Sequence, residues 1–254
     1  MENKLRDIMA GGEAALGTFF ATGSADLVEI AALCGFDFCV IDCEHGPLSV
    51  ESAQQLIRAA QLRGMTPVVR VPDGQASTVL HALDVGAMGV QVPQINDAKA
   101  AADTVRGAKY PPLGVRGTAF PRGADYGLGS GTDYFAEANQ KTLVIVHCET
   151  VESLDRLDEI CAVPGIDVVF LGPYDMSASM GIAGQVDHPR VEAAAARILE
   201  ITARHGIAAG IYAGSGAKAR ARARQGFRYI TVGMDTVLFS TICKQVVGEF
   251  QEGV

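Results

Sequence analysis

Residues 142–175 read TLVIVHCETVESLDRLDEICAVPGIDVVFLGPYD. This stretch contains two continuous apolar, β-branched runs, 142–149 and 166–172, separated by a longer segment rich in polar residues. Continuous apolar strands joined by a crossover helix are typical of a parallel sheet that is buried on both faces. The stretch therefore predicts a parallel strand–helix–strand unit.

The same alternation extends through the rest of the chain. Helical patterns separate the runs, such as one that opens at the cap-like Ser24 and another that ends at Gly64. Eight such units in 254 residues predict one (β/α)8 TIM barrel domain over residues 1–254. An open doubly wound sheet is the alternative, but no GxGxxG motif follows the first strand to support it. The remaining predicted strands are 16–21, 36–42, 66–71, 89–93, 206–213 and 229–235.

Composition limits the classes of function. The chain has 21 basic and 29 acidic residues and a formal net charge of −8, which argues against nucleic acid or an anionic membrane as a partner. No apolar run approaches the length of a membrane span, and the N-terminus lacks the apolar segment of a signal peptide. The six cysteines form no CxxC pair, which favours reduced thiols over a zinc site. We therefore expect a cytoplasmic protein.

One segment, residues 109–131, departs from the alternation. It holds three prolines and six glycines between the fourth and fifth predicted strands. A loop this long inside a compact domain is uncommon and usually functional. With Arg116, Arg122 and Tyr126 it predicts a segment that folds over a site, the alternative being a disordered flap.

Ionisable and aromatic residues follow the predicted strands at their carboxyl ends, where barrels of this class form their active sites. Placing several ionisable groups together at one end of an apolar barrel costs free energy unless the groups bind something. The pattern therefore predicts a site at this end. The residues concerned are Phe19, Phe20, Asp42, Glu44, His45, Arg70, Gln91, His147, Glu149, Gly172, Pro173, Asp175, Tyr212 and Asp235.

Two carboxylates in this set, Glu149 and Asp175, come from adjacent strands. Two carboxylates with room for water and a bidentate ligand suit Mg²⁺ or Mn²⁺, which favour octahedral oxygen coordination. The alternative is a surface carboxylate and a helix N-cap. Backbone N–H groups after Gly172 are suited to binding a substrate carboxylate.

Arg70 and His45 are candidates for the chemical step. Arg70 ends an otherwise apolar strand, so its guanidinium must face either a substrate oxygen or a carboxylate such as that of Glu44. His45 lies just beyond a strand end and is either a turn residue or, beside an acid, a usable base.

Six motifs occur in order along the chain: DFCVIDCEHGPLS, PVVRVP, LDVGAMGVQVP, YPPLGVRG, VHCETVES and DVVFLGPYDMSASMG. Together they resemble the HpcH/HpaI aldolase family. This family comprises divalent-metal pyruvate aldolases typified by 4-hydroxy-2-oxoheptane-1,7-dioate aldolase, which implies a role in aromatic-compound catabolism. The resemblance implies reversible retro-aldol cleavage of 4-hydroxy-2-oxo acids to pyruvate and an aldehyde, with Mg²⁺ or Mn²⁺ as cofactor and Co²⁺ as a further candidate.

The resemblance also implies residue roles. Glu149 and Asp175 would bind the metal, Arg70 would stabilise the transition state, and His45 would accept a proton, made more basic by Asp84. The bound 2-oxo acid would contact the fifth and sixth strand ends. The residues implied there are His147, Gly172, Pro173, Tyr174 and Asp175. The last helix would pack on a neighbouring subunit within a homo-oligomer, commonly a hexamer built as a trimer of dimers.

The sequence departs from the family pattern at two positions. Many members carry glutamine where this chain has His147, and tryptophan where it has Phe19. The first difference bears on hydrogen bonding around the metal. The second bears on the aldehyde, whose half of the pocket we assign to Phe19 and Tyr212, the alternative being that both rings only pack the core.

Two rival functions share this fold. An acyl-CoA lyase of the citrate lyase β-subunit type would need a basic groove for its nucleotide, and the sequence indicates no clear one. A non-catalytic barrel that binds a metal and a carboxylate is the second rival, and proton exchange on pyruvate separates it from an aldolase.

Overall fold

Eight short parallel strands close into a barrel. The computed structural model describes residues 2–128 and 133–252. Each strand pairs with the next along the chain, and β1 also pairs with β8. The closed order confirms the predicted barrel and excludes the open sheet. The strands are β1 Ala15–Phe20, β2 Phe38–Asp42, β3 Thr66–Arg70, β4 Gly89–Val92, β5 Leu143–Cys148, β6 Val168–Leu171, β7 Ala208–Ala213 and β8 Tyr229–Met234.

Helices follow the strands around the outside of the barrel. The predicted signals are confirmed: the Ser24 side chain accepts a hydrogen bond from the N–H of Leu27, and Gly64 has a positive φ of 71°. A 3-10 segment covers Arg122–Gly127. The α-helices are α1 Lys4–Ala10, α2 Ala25–Leu33, α3 Val50–Leu62, α4 Ala76–Asp84, α5 Ala98–Ala108, α6 Asp133–Lys141, α7 Val151–Asp155, α8 Leu157–Cys161, α9 Pro173–Ser179, α10 Pro189–His205, α11 Gly216–Gln225 and α12 Asp235–Glu252.

The barrel interior changes from apolar to polar along the strands. Val40, Val68 and Ile145 belong to the buried cluster inside the barrel. Because side chains on a strand alternate between its two faces, the residues two positions further on face the same way. These residues are Asp42, Arg70 and His147, all buried. The carboxyl end of the barrel is therefore the polar end.

The amino end of the barrel is covered by α1. Leu5 is fully buried in the interior cluster. The Asn3 side-chain amide donates to the carbonyl oxygens of Met88 (3.0 Å) and Lys141 (2.7 Å), and Arg6 forms an ion pair of 2.7 Å with Asp167. These contacts anchor α1 across the strand entrances.

The loop after α5 lies at this same end, so within the described chain it does not cover the polar end of the barrel. That it folds over a site, its own or that of a neighbouring chain, stays a prediction. Arg116 pairs with Asp84 at 2.7 Å, and Arg122 donates to the carbonyl oxygen of Val85 (3.1 Å) and to the Gln61 side chain (2.6 Å). The physical reason is topological: α5 runs back to the amino end of the barrel, so the loop begins there. Residues 129–131 of the predicted segment lie outside the described residues.

The helix α12 ends the described chain and carries apolar side chains on its surface. Exposed members include Phe239, Ile242, Val246, Val247 and Phe250. Within residues 2–128 and 133–252, the structure contains no helix with the length and apolar character needed to cross a membrane.

Candidate active site

A cavity of about 390 Å³ opens at the carboxyl end of the barrel. It collects every residue to which the sequence analysis assigned a catalytic, metal-binding or substrate-binding role, except Asp84. Three further lining residues, Phe170, Met234 and Val237, were not predicted. The full lining is Phe19, His45, Arg70, His147, Glu149, Phe170, Gly172, Pro173, Tyr174, Asp175, Tyr212, Met234 and Val237.

Asp42 organises the turn that carries His45. Its Oδ1 atom accepts hydrogen bonds from the backbone N–H groups of Glu44 (3.1 Å) and His45 (3.2 Å). A Cβ atom at Gly46 would lie 2.8 Å from the Asp42 carbonyl oxygen, so the turn requires glycine there. Burial alone would raise the pKa of Asp42, but the Arg70 guanidinium and these N–H groups hold it below its ordinary value of 3.8.

The same carboxylate holds Arg70. The guanidinium donates from Nε to Oδ1 (2.9 Å) and from Nη2 to Oδ2 (2.5 Å) of Asp42, and its Nη1 atom lies 3.3 Å from Glu44. The Cζ atom stands 4.8 Å from the centre of the Phe19 ring, a cation–π contact. Arg70 thus forms the salt bridge considered from sequence and also lines the cavity.

His45 is 63% exposed at the cavity, and its Nε2 atom lies 3.7 Å from Glu44. Burial raises the pKa of the Glu44 carboxyl. Asp84 instead pairs with Arg116 at the amino end and is not among the described residues that line the cavity. Within the described chain His45 therefore has Glu44 as its adjacent acid, and its pairing with Asp84 stays a prediction.

Both oxygens of the Glu149 carboxylate are held by hydrogen bonds. Oε1 accepts from the backbone N–H of Gln94 (2.7 Å), and Oε2 lies 2.6 Å from Nδ1 of His147. Burial acts to raise the pKa of Glu149, but the bond from His147 and further charged and backbone contacts hold it below its usual value. The carboxylate is therefore fixed and anionic.

Gly172 keeps the space beside the two predicted metal ligands free. A Cβ atom at this position would lie 3.2 Å from Oε2 of Glu149 and 3.4 Å from Oδ2 of Asp175, so the two carboxylate oxygens face one small region. Among the described residues there is no cluster of three or more His, Cys, Asp or Glu side chains suited to a metal. Two carboxylates fit an octahedral cation whose other positions are taken by water and substrate oxygens.

Aromatic rings form the opposite wall of the cavity. Phe19 and Tyr212 have ring centres 6.4 Å apart, and Tyr212 and Tyr174 are separated by 5.9 Å. Burial raises the pKa of Tyr212, so its hydroxyl is neutral. Met234 and Val237 complete this wall from the end of β8 and the start of α12. Met234 lies within the predicted strand 229–235 and Val237 lies two residues beyond it, and nothing in that pattern indicated that either side chain lines the cavity.

The comparisons with known proteins agree with this fold. The chain matches the model of the HpcH/HpaI aldolase/citrate lyase family over residues 15–241. It is 33% identical to a hydroxypyruvate/pyruvate aldolase of Cupriavidus necator, over 98% of this chain and 93% of the relative. It is 34% identical to a 2-keto-3-deoxy-L-rhamnonate aldolase of Escherichia coli K12, over 100% of this chain and 95% of the relative.

A solved structure shares the whole architecture. The crystal structure of an HpcH/HpaI aldolase/citrate lyase family protein from Burkholderia cenocepacia superposes with a TM-score of 0.92 at 36% identity, covering 98% of this chain and 99% of that one. The family match and the full-length relatives named as aldolases identify the chain as a carbon–carbon lyase of the aldolase class. The chain belongs to the HpcH/HpaI aldolase/citrate lyase family.

Proposed function

We propose that this protein is a divalent-metal-dependent aldolase that reversibly cleaves 4-hydroxy-2-oxo acids to pyruvate, or a close 2-oxo acid, and an aldehyde. The observation that carries the proposal is the pair of carboxylate oxygens of Glu149 and Asp175 facing the space beside Gly172, in the same cavity as the Arg70 guanidinium. The full-length relatives named as pyruvate and 2-keto-3-deoxy-acid aldolases support the reaction class.

The cavity residues divide the chemistry between them. Glu149 and Asp175 would hold Mg²⁺ or Mn²⁺, with Co²⁺ as a further candidate, and the cation supplies a Lewis acid for the carboxylate and oxo groups of the 2-oxo acid. Arg70, already oriented by Asp42, stabilises negative charge that develops on the oxo oxygen. His45 takes the proton of the C4 hydroxyl in cleavage and returns it to the aldehyde oxygen in synthesis.

The aromatic wall receives the aldehyde half of the substrate. Phe19, Tyr212 and Tyr174 present ring surface and two phenol hydroxyls, with Tyr212 half-buried and Tyr174 exposed. His147 lines the cavity, but both of its ring nitrogens already contact protein side chains. We therefore assign its part in binding the 2-oxo acid to its control of Glu149.

The metal requirement tests the proposal directly. Cleavage should stop in excess EDTA and return with Mg²⁺ or Mn²⁺, because Glu149 and Asp175 would hold the electrophile. Deuterium exchange into the pyruvate methyl group should follow the same pattern, which separates an aldolase from a barrel that only binds a carboxylate. Full activity in EDTA, with borohydride trapping of a pyruvate adduct, would instead indicate a Schiff-base lysine.

The same proposal includes a homo-oligomer, with six chains arranged as a trimer of dimers. Its support is α12, where Phe239 and Phe250 are 65% and 73% exposed and lie among further exposed apolar residues. Exposed apolar surface of this kind marks interaction sites. Light scattering should give the mass of six chains, and Phe239→Lys with Phe250→Lys should lower it. A monomeric wild-type mass would contradict this arrangement.

A further inference from the structure

Four buried polar side chains form one hydrogen-bonded chain beneath the cavity. The Tyr229 hydroxyl contacts Oε1 of Gln91 at 2.7 Å, and Nε2 of Gln91 lies 2.8 Å from Nε2 of His147. Nδ1 of His147 then reaches Oε2 of Glu149 at 2.6 Å. Tyr229 and Gln91 are fully buried, and His147 and Glu149 nearly so. The chain links the barrel interior to a proposed metal ligand.

The donors in this chain run in one direction. The tyrosine has one hydroxyl hydrogen and donates it to the carbonyl oxygen of Gln91. The amide nitrogen of Gln91 carries only donor hydrogens, so Nε2 of His147 must be the acceptor. The ring hydrogen of His147 is therefore on Nδ1, where it points at Glu149.

We propose that Gln91, supported by Tyr229, is a positioning residue that holds the His147 ring with its Nδ1–H directed at Glu149 and thereby fixes Glu149 for the metal. This inference rests on the proposed metal role of Glu149. In metal sites, a partner that orients a ligand through a second hydrogen bond is typically worth 10–100-fold in metal affinity.

The physical reason is that the His147 ring is buried, so solvent does not replace a lost hydrogen-bond partner. Without the amide of Gln91, the lone pair on Nε2 of His147 is buried with no donor opposite it, which is costly. The ring is then no longer held from that side, so its Nδ1–H bond to Glu149 at 2.6 Å loses its fixed geometry. Oε2 of Glu149 would leave its position beside Gly172.

The test uses the full-length enzyme with Gln91→Met, which keeps the length of the side chain and removes its hydrogen bonds. Manganese affinity, measured by electron paramagnetic resonance of free Mn²⁺, should weaken about tenfold. The expected effect of Tyr229→Phe is smaller, about two- to threefold, and the double variant should bind no more weakly than Gln91→Met alone, because Tyr229 acts through Gln91.

A spectroscopic readout on the metal-free protein examines the tautomer itself. The ¹⁵N resonances of the imidazoles, with His147 assigned by its loss in His147→Gln, should show Nδ1–H in the wild type. In Gln91→Met, the Nε2 resonance should move towards that of a ring nitrogen with no hydrogen-bond donor, while Nδ1 stays protonated. Thr231→Val is the matched control: it removes a buried hydroxyl from the same strand as Tyr229, one that has no hydrogen-bond partner in the described structure. It should leave both Mn²⁺ affinity and the His147 resonances unchanged.

The outcomes separate this inference from the proposed function. If the wild type binds no Mn²⁺, the metal role of Glu149 fails, and with it the proposed function. If the wild type binds Mn²⁺ but Gln91→Met matches it in affinity and in the His147 resonances, the role of Gln91 is overturned and the proposed function stands. Should Gln91→Met not fold, Tyr229→Phe alone decides by the same two measurements.

Discussion

The two ends of the barrel both bury charged side chains, but they use them differently. At the amino end, Lys109 is 5% exposed and donates to the carbonyl oxygens of Asn139 (2.8 Å) and Thr142 (2.7 Å), while Arg116 pairs with Asp84. At the carboxyl end, Arg70 is paired with Asp42 and still borders the cavity. The charged groups at the amino end contact other parts of the protein, whereas Arg70 at the carboxyl end also borders the cavity.

This difference shows why a perturbed pKa does not identify a functional residue by itself. Burial lowers the pKa of Lys109 to about 8, a value suited to a Schiff-base lysine. Its ammonium group nevertheless faces backbone carbonyls at the end of the barrel opposite the proposed metal ligands. A better indicator of a functional residue is a charged group that lies at the edge of a cavity, where it can contact a ligand.

The largest expected effect is at His45. His45→Ala should lower the rate of cleavage by about 10²–10⁴-fold, because it removes the proposed proton acceptor. Manganese affinity should stay at the wild-type value, since His45 is not a proposed ligand. Steady-state kinetics and Mn²⁺ titration measure the two quantities, and a collapse of metal affinity would make His45 a ligand instead.

Which acid assists His45 can be resolved with the same assay. Glu44 lies 3.7 Å from His45, whereas Asp84 pairs with Arg116 at the amino end. Asp84→Asn should lower turnover more mildly than His45→Ala and should add nothing in the His45→Ala background. In the alternative outcome, Arg116→Met lowers turnover as much as Asp84→Asn does, while only the loss caused by Glu44→Gln disappears in the His45→Ala background. That result would identify Glu44 as the assisting acid.

A second variant contrasts the two ends directly. Arg70→Ala should slow both cleavage and deuterium exchange into the pyruvate methyl group about a hundredfold, because one charge-assisted contact to a developing oxyanion is worth about 3 kcal/mol. Near-normal exchange would leave Arg70 with only its salt bridge to Asp42.

Lys109→Met is the control for Arg70→Ala from the amino end. It leaves two buried carbonyl oxygens without their donor and should cost about 1–3 kcal/mol in the free energy of unfolding. The exchange rate per folded enzyme should not change. Thermal unfolding and deuterium exchange are measured on both variants. The expected pattern is a loss of stability without a loss of exchange in Lys109→Met, and a loss of exchange in Arg70→Ala.

The smallest expected effect concerns the aromatic wall. Phe19→Trp or Tyr212→Leu should change the ratio of kcat/KM between a short and a long aldehyde by about tenfold, within the 1–3 kcal/mol that a change of fit typically supplies. The pyruvate KM should stay nearly constant. Equal losses for all aldehydes together with a lower Tm would show that the rings only pack the core.

The sequence by itself was sufficient for the fold and for most of the cavity. The eight apolar runs matched the strands to within two residues, because a strand buried on both faces must be apolar wherever the chain enters the sheet. Polar residues within these apolar runs, such as Arg70 and His147, then indicated that the carboxyl end of the barrel is the polar end. The assigned roles of these residues stay predictions.

Tertiary structure alone decided the contacts between distant segments. Asp84 and Arg116 lie 32 residues apart and Gln91 and Tyr229 are separated by 138, and no periodicity encodes either pairing. The prolines and glycines after α5 predict a loop but not its location, which the structure gives as the amino end of the barrel. The sequence also did not show that Met234 and Val237 line the cavity. Local pattern fixes which face of an element is buried, whereas partners across the barrel depend on how all eight strands close.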